Sequence, residues 1–480
     1  MKRRLLTLLT IAAAAWASGC KVGPNYTRPQ TETPAEFRNA QPGAAGAKSL
    51  GDYAWWEVLD DPTLQSLIRT ALEQNKDLRI AMARVSQARA LLKISRADLL
   101  PTVSGEASYQ RSRMSEIDRV PIAPNIAAPN DAFSLTANAS YEVDLWGRVR
   151  RLNEAARAQL LATEASRHAI MTVIIADVAS AYFSLRDLDW ELEIARHTVE
   201  LRRKSLKLTT SRDERGVASK MDVRQSEVLL NTATAVIPQI EQNIATTENH
   251  ICVLLGRNPA PVPRGKPLTN LVARIVVPAG LPSELLERRP DIIEAEQQLI
   301  AANANIGAAK AAFYPQITLT GSAGVLSADG ASLFKGPANA WSFGPRITVP
   351  IFTGGRLTGQ VEEMKASQRQ ALAAYEQAIQ NAFRETADAL ITHAKTREYR
   401  IEHESLTNTL RDASRLANLR YRGGVSSYLE VLDTERQLFD AERQLARAFR
   451  DQLLSVAQLY KALGGGWWKE TALPVKWGWR

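Results

Sequence analysis

The sequence predicts a mainly α-helical chain that also carries membrane β-strands, built twice from one helix, β-hairpin and long helical hairpin unit. Three observations predict this. Landmarks recur at a fixed offset, one very long stretch lacks both Pro and Gly, and four short segments alternate apolar with polar residues.

The repeat comes first, because it organises the rest. Leu145-Trp146-Gly147-Arg148 recurs within Phe352 to Arg356, with Gly147-Arg148 matching Gly355-Arg356, Gly216-Val217-Ala218-Ser219 as Gly424-Val425-Ser426-Ser427, and Leu255-Gly256 as Leu463-Gly464, these matches each lying 208 residues apart. Upstream the offset is 214, matching Asp77 to Asp291, Ala81 to Ala295 and Pro101 to Pro315. The difference falls between Pro101 and Gly147, where the first copy has a longer loop around Pro121, Pro124 and Pro129.

Each copy opens with an Ala-rich helix, about 63–98 and 284–313, that ends before Leu100-Pro101 or Tyr314-Pro315. Proline cannot continue a helix and pushes its predecessor out of helical geometry. Strands follow at about 102–113 and 133–144, and again at about 316–326 and 341–350. In them Val103, Tyr109, Phe133, Leu135, Ile317, Leu319, Trp341 and Phe343 alternate with polar or small residues. Period two describes a strand with one apolar and one wet face, and about 10 residues cross a membrane when tilted. Alternation alone leaves open two soluble hairpins packed on helices. Membrane strands would need several chains, because four strands cannot close a barrel and open edges are forbidden in lipid.

The stretch from Arg148 to Glu214 has neither Pro nor Gly. At ~1.5 Å per residue it reaches roughly 100 Å as one helix. Met171, Ile174, Val178, Ala181, Leu185, Leu188, Leu192, Ala195 and Val199 step by three and four, which is a coiled-coil seam. The second copy repeats the length from Arg356 to Arg422 with a weaker seam. The turns at Gly216 and Gly424 fall at the ends of these helices remote from the strands, on the periplasmic side if the strands span an outer membrane.

The N-terminus sets the compartment. Lys2, Arg3 and Arg4 precede an apolar run from Leu5 to Ala15, then Ala17-Ser18-Gly19-Cys20. This is a secretory signal, too short to span a bilayer. The Cys after Ser-Gly resembles a lipobox, so Cys20 is expected to carry a covalent lipid after removal of 1–19; the alternative is an ordinary signal with a chance Cys. Cys252, the other cysteine, sits in an apolar helical stretch and reads as a small buried hydrophobe. The formal charge of +9 includes three units from the signal. The rest is interspersed with Asp and Glu; even the basic run Leu201 to Arg215 contains Asp213 and Glu214 and reads as a solvated helix face, so no nucleic-acid partner is expected.

No catalytic constellation stands out. The five His are scattered, and Gly354-Gly355-Arg356 and Gly464 to Gly466 lack the Lys-Ser/Thr of a phosphate loop. No enzymatic activity, no metal and no cofactor beyond the lipid on Cys20 are expected. The boundaries follow: signal 1–19, lipidated extension 20–62, first repeat 63–256, linker 257–283, second repeat 284–464 and tail 465–480.

Several pieces carry a family resemblance: Cys20-Lys21-Val22-Gly23-Pro24-Asn25-Tyr26 with Arg28-Pro29, Trp55-Trp56 with Asp61-Pro62, Arg288-Arg289-Pro290-Asp291-Ile292, Ala302-Asn303-Ala304-Asn305-Ile306-Gly307, and Leu463-Gly464-Gly465-Gly466-Trp467. Over essentially the whole chain the sequence resembles the TolC-like outer-membrane factors of tripartite efflux pumps, in particular the OprM/NodT-type lipoproteins. The resemblance implies a homotrimer that closes a 12-strand β-barrel on a 12-helix periplasmic tunnel, with the linker in an equatorial region. It implies an outer-membrane location, contact with outer-membrane lipid, a periplasmic adaptor and an inner-membrane pump of the resistance-nodulation-division type, and passive export of small molecules. It also implies a gate at the periplasmic tips, at Asp222, Tyr421, Leu429, Glu430 and Asp433. Leu429 would form an apolar ring and Asp433 a charged one, with Arg215, Arg420 and Arg422 as candidate partners. Ser426 departs from the TolC pattern, where a gate arginine stands. The competing reading is a non-pore periplasmic coiled-coil lipoprotein with a structural or adaptor role.

Overall fold

The computed structural model describes residues 21–31, 33–34, 37–38, 50–113, 130–272 and 282–465. The signal 1–19, Cys20, the loop around Pro121 and all but the first residue of the tail 465–480 lie outside the described residues. In chain order, after a single helical turn at Trp55–Val58, the helices are α1 (Pro62–Gln74), α2 (Lys76–Ala97), α3 (Arg148–Glu214), α4 (Lys220–Leu254), α5 (Leu268–Val272), α6 (Pro282–Arg288), α7 (Pro290–Ala311), α8 (Arg356–Arg422) and α9 (Tyr428–Ala462); the strands are β1 (Thr102–Ser112), β2 (Asn130–Val143), β3 (Gln316–Ser327) and β4 (Asn339–Thr348). The chain divides into two compact units, Met1–Gln30 with Arg84–Thr163 and Glu294–Tyr375, and Thr31–Ala83 with Glu164–Ile293 and Glu376–Arg480.

The first unit holds one antiparallel sheet in the order β1-β2-β3-β4. Its register sorts the side chains by chemistry. Val103, Ala139, Gly321 and Phe343 share one row, Gly105, Ala137, Ala323 and Trp341 the next, and Val143, Ile317 and Ile347 close that face at one end. Ser104, Asn138, Ser322 and Ser342 share a row on the opposite face, where Ser322 and Ser342 hydroxyls meet at 2.8 Å. The apolar face is bare: Trp341 is 82% and Phe343 73% exposed. Among the described residues, β1 and β4 each pair on one side only. The predicted strand ends are met to within three residues.

The sheet is welded to its helices at short turns. The Trp146 ring stacks on Tyr314 at 4.8 Å and its Nε1 donates to Pro315 O at 2.8 Å, joining the exit of β2 to the entry of β3. Arg148 grips Glu142 through two bonds, and Asp144 accepts from the Val149 and Arg150 amides at the orphaned N-terminus of α3.

Residues 21–28 form a strap across the same unit. Arg151, 1% exposed, donates to Val22 O, Gly23 O and Asn25 Oδ1 at 3.2, 3.3 and 2.8 Å. Asn303 donates to Pro24 O, and Tyr26 and Arg28 both reach Glu296 at 3.0 Å. Gly23 has φ +96° and lies against the Gly307 backbone, where neither residue has room for a Cβ.

The second unit is helical. Its main core gathers Leu64 and Ile68 of α1, Val178, Tyr182 and Leu185 of α3, Ile251 and Cys252 of α4, and Leu453 and Val456 of α9. Cys252 is buried as expected, its Sγ beside Ala260. The seam residues Ile174, Val178, Ala181, Leu185, Ala195 and Val199 are all buried. Asp61, fully buried, caps α1 through the Thr63 amide and also accepts from Tyr182 Oη at 2.9 Å and the Lys266 amide at 3.0 Å.

Two expected helices are broken. The one expected over 63–98 stops at Gln74, because Asn75 turns out of helical geometry and starts α2, its Oδ1 accepting from the Leu78 amide and its Nδ2 bonding Leu254 O. The one expected over 284–313 breaks at Arg289, since Pro290 has no amide proton and fits the first position of a new helix. The 208-residue repeat is otherwise kept: α3 and α8 are both 67 residues long, and α4 and α9 both 35.

Candidate functional site

The site expected at the hairpin tips is built by two turns of the second unit. Each long helix ends on a glycine in left-handed geometry, Gly216 at φ +74° and Gly424 at φ +72°. In each, the following valine amide reaches back five residues, Val217 to Arg212 O and Val425 to Arg420 O. This closes helical carbonyls that would otherwise be orphaned.

The next helices start differently. Ser219 caps α4 reciprocally with Asp222: the Asp222 amide donates to Ser219 Oγ at 3.2 Å and the Ser219 amide to Asp222 Oδ2 at 3.0 Å. The Asp222 carboxylate is thus engaged in capping its own helix. Ser427 makes no side-chain cap, and Glu430, at the corresponding place in α9, turns to Arg420 at 3.5 Å.

Tyr421 is buried, in a cluster with Leu229, Ala417, Tyr428, Val431 and Leu432. Its ring lies 5.0 Å from that of Tyr428, and the Arg212 guanidinium covers it at 4.6 Å. Burial raises its phenol above the ordinary value. Tyr421 Oη and Ser426 Oγ are buried without a hydrogen-bond partner among the described residues.

Leu429 and Asp433 sit four residues apart, on one face of α9. Leu429 is 64% exposed. Asp433 accepts from Arg436 at 3.1 Å and Gln437 at 2.6 Å, both on its own helix; among the described residues, of the three arginines named from sequence, only Arg420 forms an ion pair, and with Glu430.

Sequence reasoning missed two features. The basic run Leu201 to Arg215 is not wholly a solvated face: Arg202 is 3% exposed, and Arg212 covers Tyr421. The signal was present, since Arg202 follows Val199 by three and is the next step of the seam. The second is a ladder of buried acids on α3: Glu191 takes Arg443 at 2.8 Å and Arg447 at 2.6 Å, and Asp187 takes Arg450 at 2.7 Å. Burial pushes Asp187 up to about 7 against the pull of Arg450. Among the described residues no group of three or more His, Cys, Asp or Glu is placed to hold a metal.

Comparison with known proteins follows the same two halves of the chain. The outer membrane efflux protein profile matches residues 67–257 and 281–465. The chain belongs to the outer membrane efflux protein family. It is 39% identical over 465 residues to the solvent efflux pump outer membrane protein SrpC of Pseudomonas putida, covering 96% of this chain and 98% of that one. It is 34% identical over 462 residues to the cation efflux system protein CusC of Escherichia coli, with 96% and 98% covered. The crystal structure of the open state of the Neisseria gonorrhoeae MtrE outer membrane channel superposes with a TM-score of 0.84 at 35% identity, covering 93% of this chain and 98% of MtrE. The chain is therefore the outer-membrane channel component of a tripartite efflux pump, and it resides in the outer membrane.

Proposed function

We propose that three copies of this chain close one barrel and one helical duct, and that the duct is gated at the tips by rings of Leu429 and Asp433. One observation carries the closure. The sheet has an apolar face, a polar face and two unpaired edges, β1 and β4, that are antiparallel to one another. Copies joined edge to edge satisfy every backbone group, which lipid demands. Three copies give 12 strands, with Trp341 and Phe343 towards lipid and the serine rows towards the lumen.

At the tips, the exposed face of α9 bearing Leu429 and Asp433 is the part of each chain available to a three-fold axis. Tyr421 braces that face from behind, Glu430 holds the turn through Arg420, and Asp222 stiffens the neighbouring turn. A thioether lipid on Cys20, one residue before the strap, anchors the chain in the outer membrane. A periplasmic adaptor engages the tips, and an inner-membrane pump of the resistance-nodulation-division type supplies the energy. The duct performs no chemistry of its own and carries no cofactor. SrpC belongs to a solvent pump and CusC to a cation system. Cargo choice is accordingly assigned upstream of this chain.

Single-channel conductance in planar bilayers tests the gate. Leu429→Ala with Asp433→Ala is expected to raise a small wild-type conductance several-fold. Inserted protein that conducts in neither form would sink the pore reading in favour of a non-pore lipoprotein. Labelling with palmitate, lost in Cys20→Ser, tests the anchor.

A further inference from the structure

Near the tips of the second unit, α3, α8 and α9 enclose a cleft of about 300 Å³. That is the lower end of the range for small-molecule sites. Arg202 is among its lining residues and is a buried cation on which the Glu435 and Asp440 carboxylates act only from beyond ion-pair distance. Its Nη1 donates to Leu229 O at 2.6 Å and its Nη2 to Glu435 O at 3.4 Å, both neutral backbone oxygens. Its Nε has no partner among the described residues, and the Phe439 ring lies 5.0 Å below its plane. Among the described residues no carboxylate comes within ion-pair distance of it; Glu435, nearby, accepts instead from Asn418 at 3.2 Å.

A buried charge left unpaired is costly, and a chain that keeps one needs a reason. The helix repeat alone does not demand the charge: 208 residues on, Leu410, an apolar side chain, stands at the equivalent position of α8. The rest of the cleft suits an anion with an apolar body. Arg422 adds an exposed cation at the rim, Ser205 and Thr209 add hydroxyls, and Leu201, Leu208 and Leu438 give apolar wall. Burial raises the Glu435 carboxyl above its ordinary range, against the opposing pull of Asn418 and Arg202.

We propose that this cleft binds a small organic carboxylate, paired to Arg202 and seated on the leucine wall. Tyr421 lines the same cleft, so an occupant ties α3 to the end of α8 beside the turn at Gly424. That consequence, a ligand that holds the tips together, rests on the gate proposed above; the binding itself does not.

Calorimetry on the detergent-solubilised full-length protein tests binding separately from conductance, with benzoate as the probe. Saturable binding is expected in wild type. Arg202→Leu, which copies the natural residue of the second repeat, is expected to weaken it at least tenfold, as loss of a charge-assisted contact should. Arg422→Gln, an exposed change that leaves packing intact, is expected to weaken it about threefold. Absence of saturable benzoate heat in wild type, or unchanged affinity in Arg422→Gln and in folded Arg202→Leu, would overturn the site. Inorganic phosphate displacing benzoate at equal concentration would overturn its assignment to a carboxylate with an apolar body. Binding without any effect on conductance would refute the tie to the gate and leave the site standing.

Discussion

Gly307→Ala sets two physical effects against each other. Gly307 lies inside α7, where replacing glycine by alanine should stabilise a helix by about 1 kcal/mol. The strap reverses that sign. A Cβ on Gly307 would stand 2.8 Å from Val22 O and from Arg151 Nε, and 2.9 Å from Arg151 Cγ. Neither the carbonyl nor the buried guanidinium can retreat without breaking the bonds from Arg151 to Val22, Gly23 and Asn25. A buried charge stripped of most partners costs about 3–5 kcal/mol. Arg151 keeps Glu154 at 3.0 Å, which places the loss towards the lower figure. Set against the helical gain, the net is a destabilisation of about 2 kcal/mol. The assay is twofold: the thermal midpoint from helical ellipticity, and tryptic cleavage after Lys21, a site that the docked strap protects. Gly307→Ala should lower the midpoint and open that site, and Gly23→Ala should do the same from the other side of the contact. A raised midpoint with unchanged cleavage would refute the close packing of strap on α7.

Three further outcomes follow from the same geometry. Tyr182→Phe removes a donor to Asp61 and an acceptor for the Gly265 amide, so it should cost about 1–3 kcal/mol in thermal stability with no change in conductance. Phe343→Arg puts a charge on the apolar sheet face and should cost about 2–4 kcal/mol of membrane stability if that face meets lipid, whereas Ser342→Arg, on the polar face, should insert normally; equal insertion of both would sink the assignment of faces. Asp187 holds its proton more tightly folded than unfolded, so its share of stability is complete below pH 3.8 and is lost as pH rises through about 7. The wild-type midpoint should therefore fall over that interval relative to Asp187→Asn, and parallel curves would refute the buried acid.

How much could be read from sequence depended on how local the cause was. The ends of α3 and α8 were legible because glycine and the absence of proline act within one turn. Strand faces were legible because period two sorts side chains whatever the neighbours. The break at Asn75 was not. It reflects the approach of Gly256, whose φ of +70° lets its backbone press on Gln74, far away in sequence. The break at Pro290 was legible in principle, and the Ala-rich pattern on both sides concealed it. At the tips the candidate residues were found by resemblance, but their roles differ by partner. Asp222 and Glu430 occupy matching places in the repeat, and only the first is spent on a cap, because Ser427 makes no cap bond where Ser219 does. Arg202 escaped notice because charge type outweighed seam position in reading the basic run.

The two unpaired edges of the sheet bear on how the protein is made. A newly exported chain presents β1 and β4 to any strand it meets, beside an apolar face that water cannot wet well. Such a surface recruits like surfaces, correct or not. Safe delivery then depends on encounter rate. At low supply a chain waits alone with its edges open, and at high supply it meets too many partners at once. Prompt arrival at lipid, with further copies to pair both edges, resolves both cases, so yield should fall once export outruns assembly.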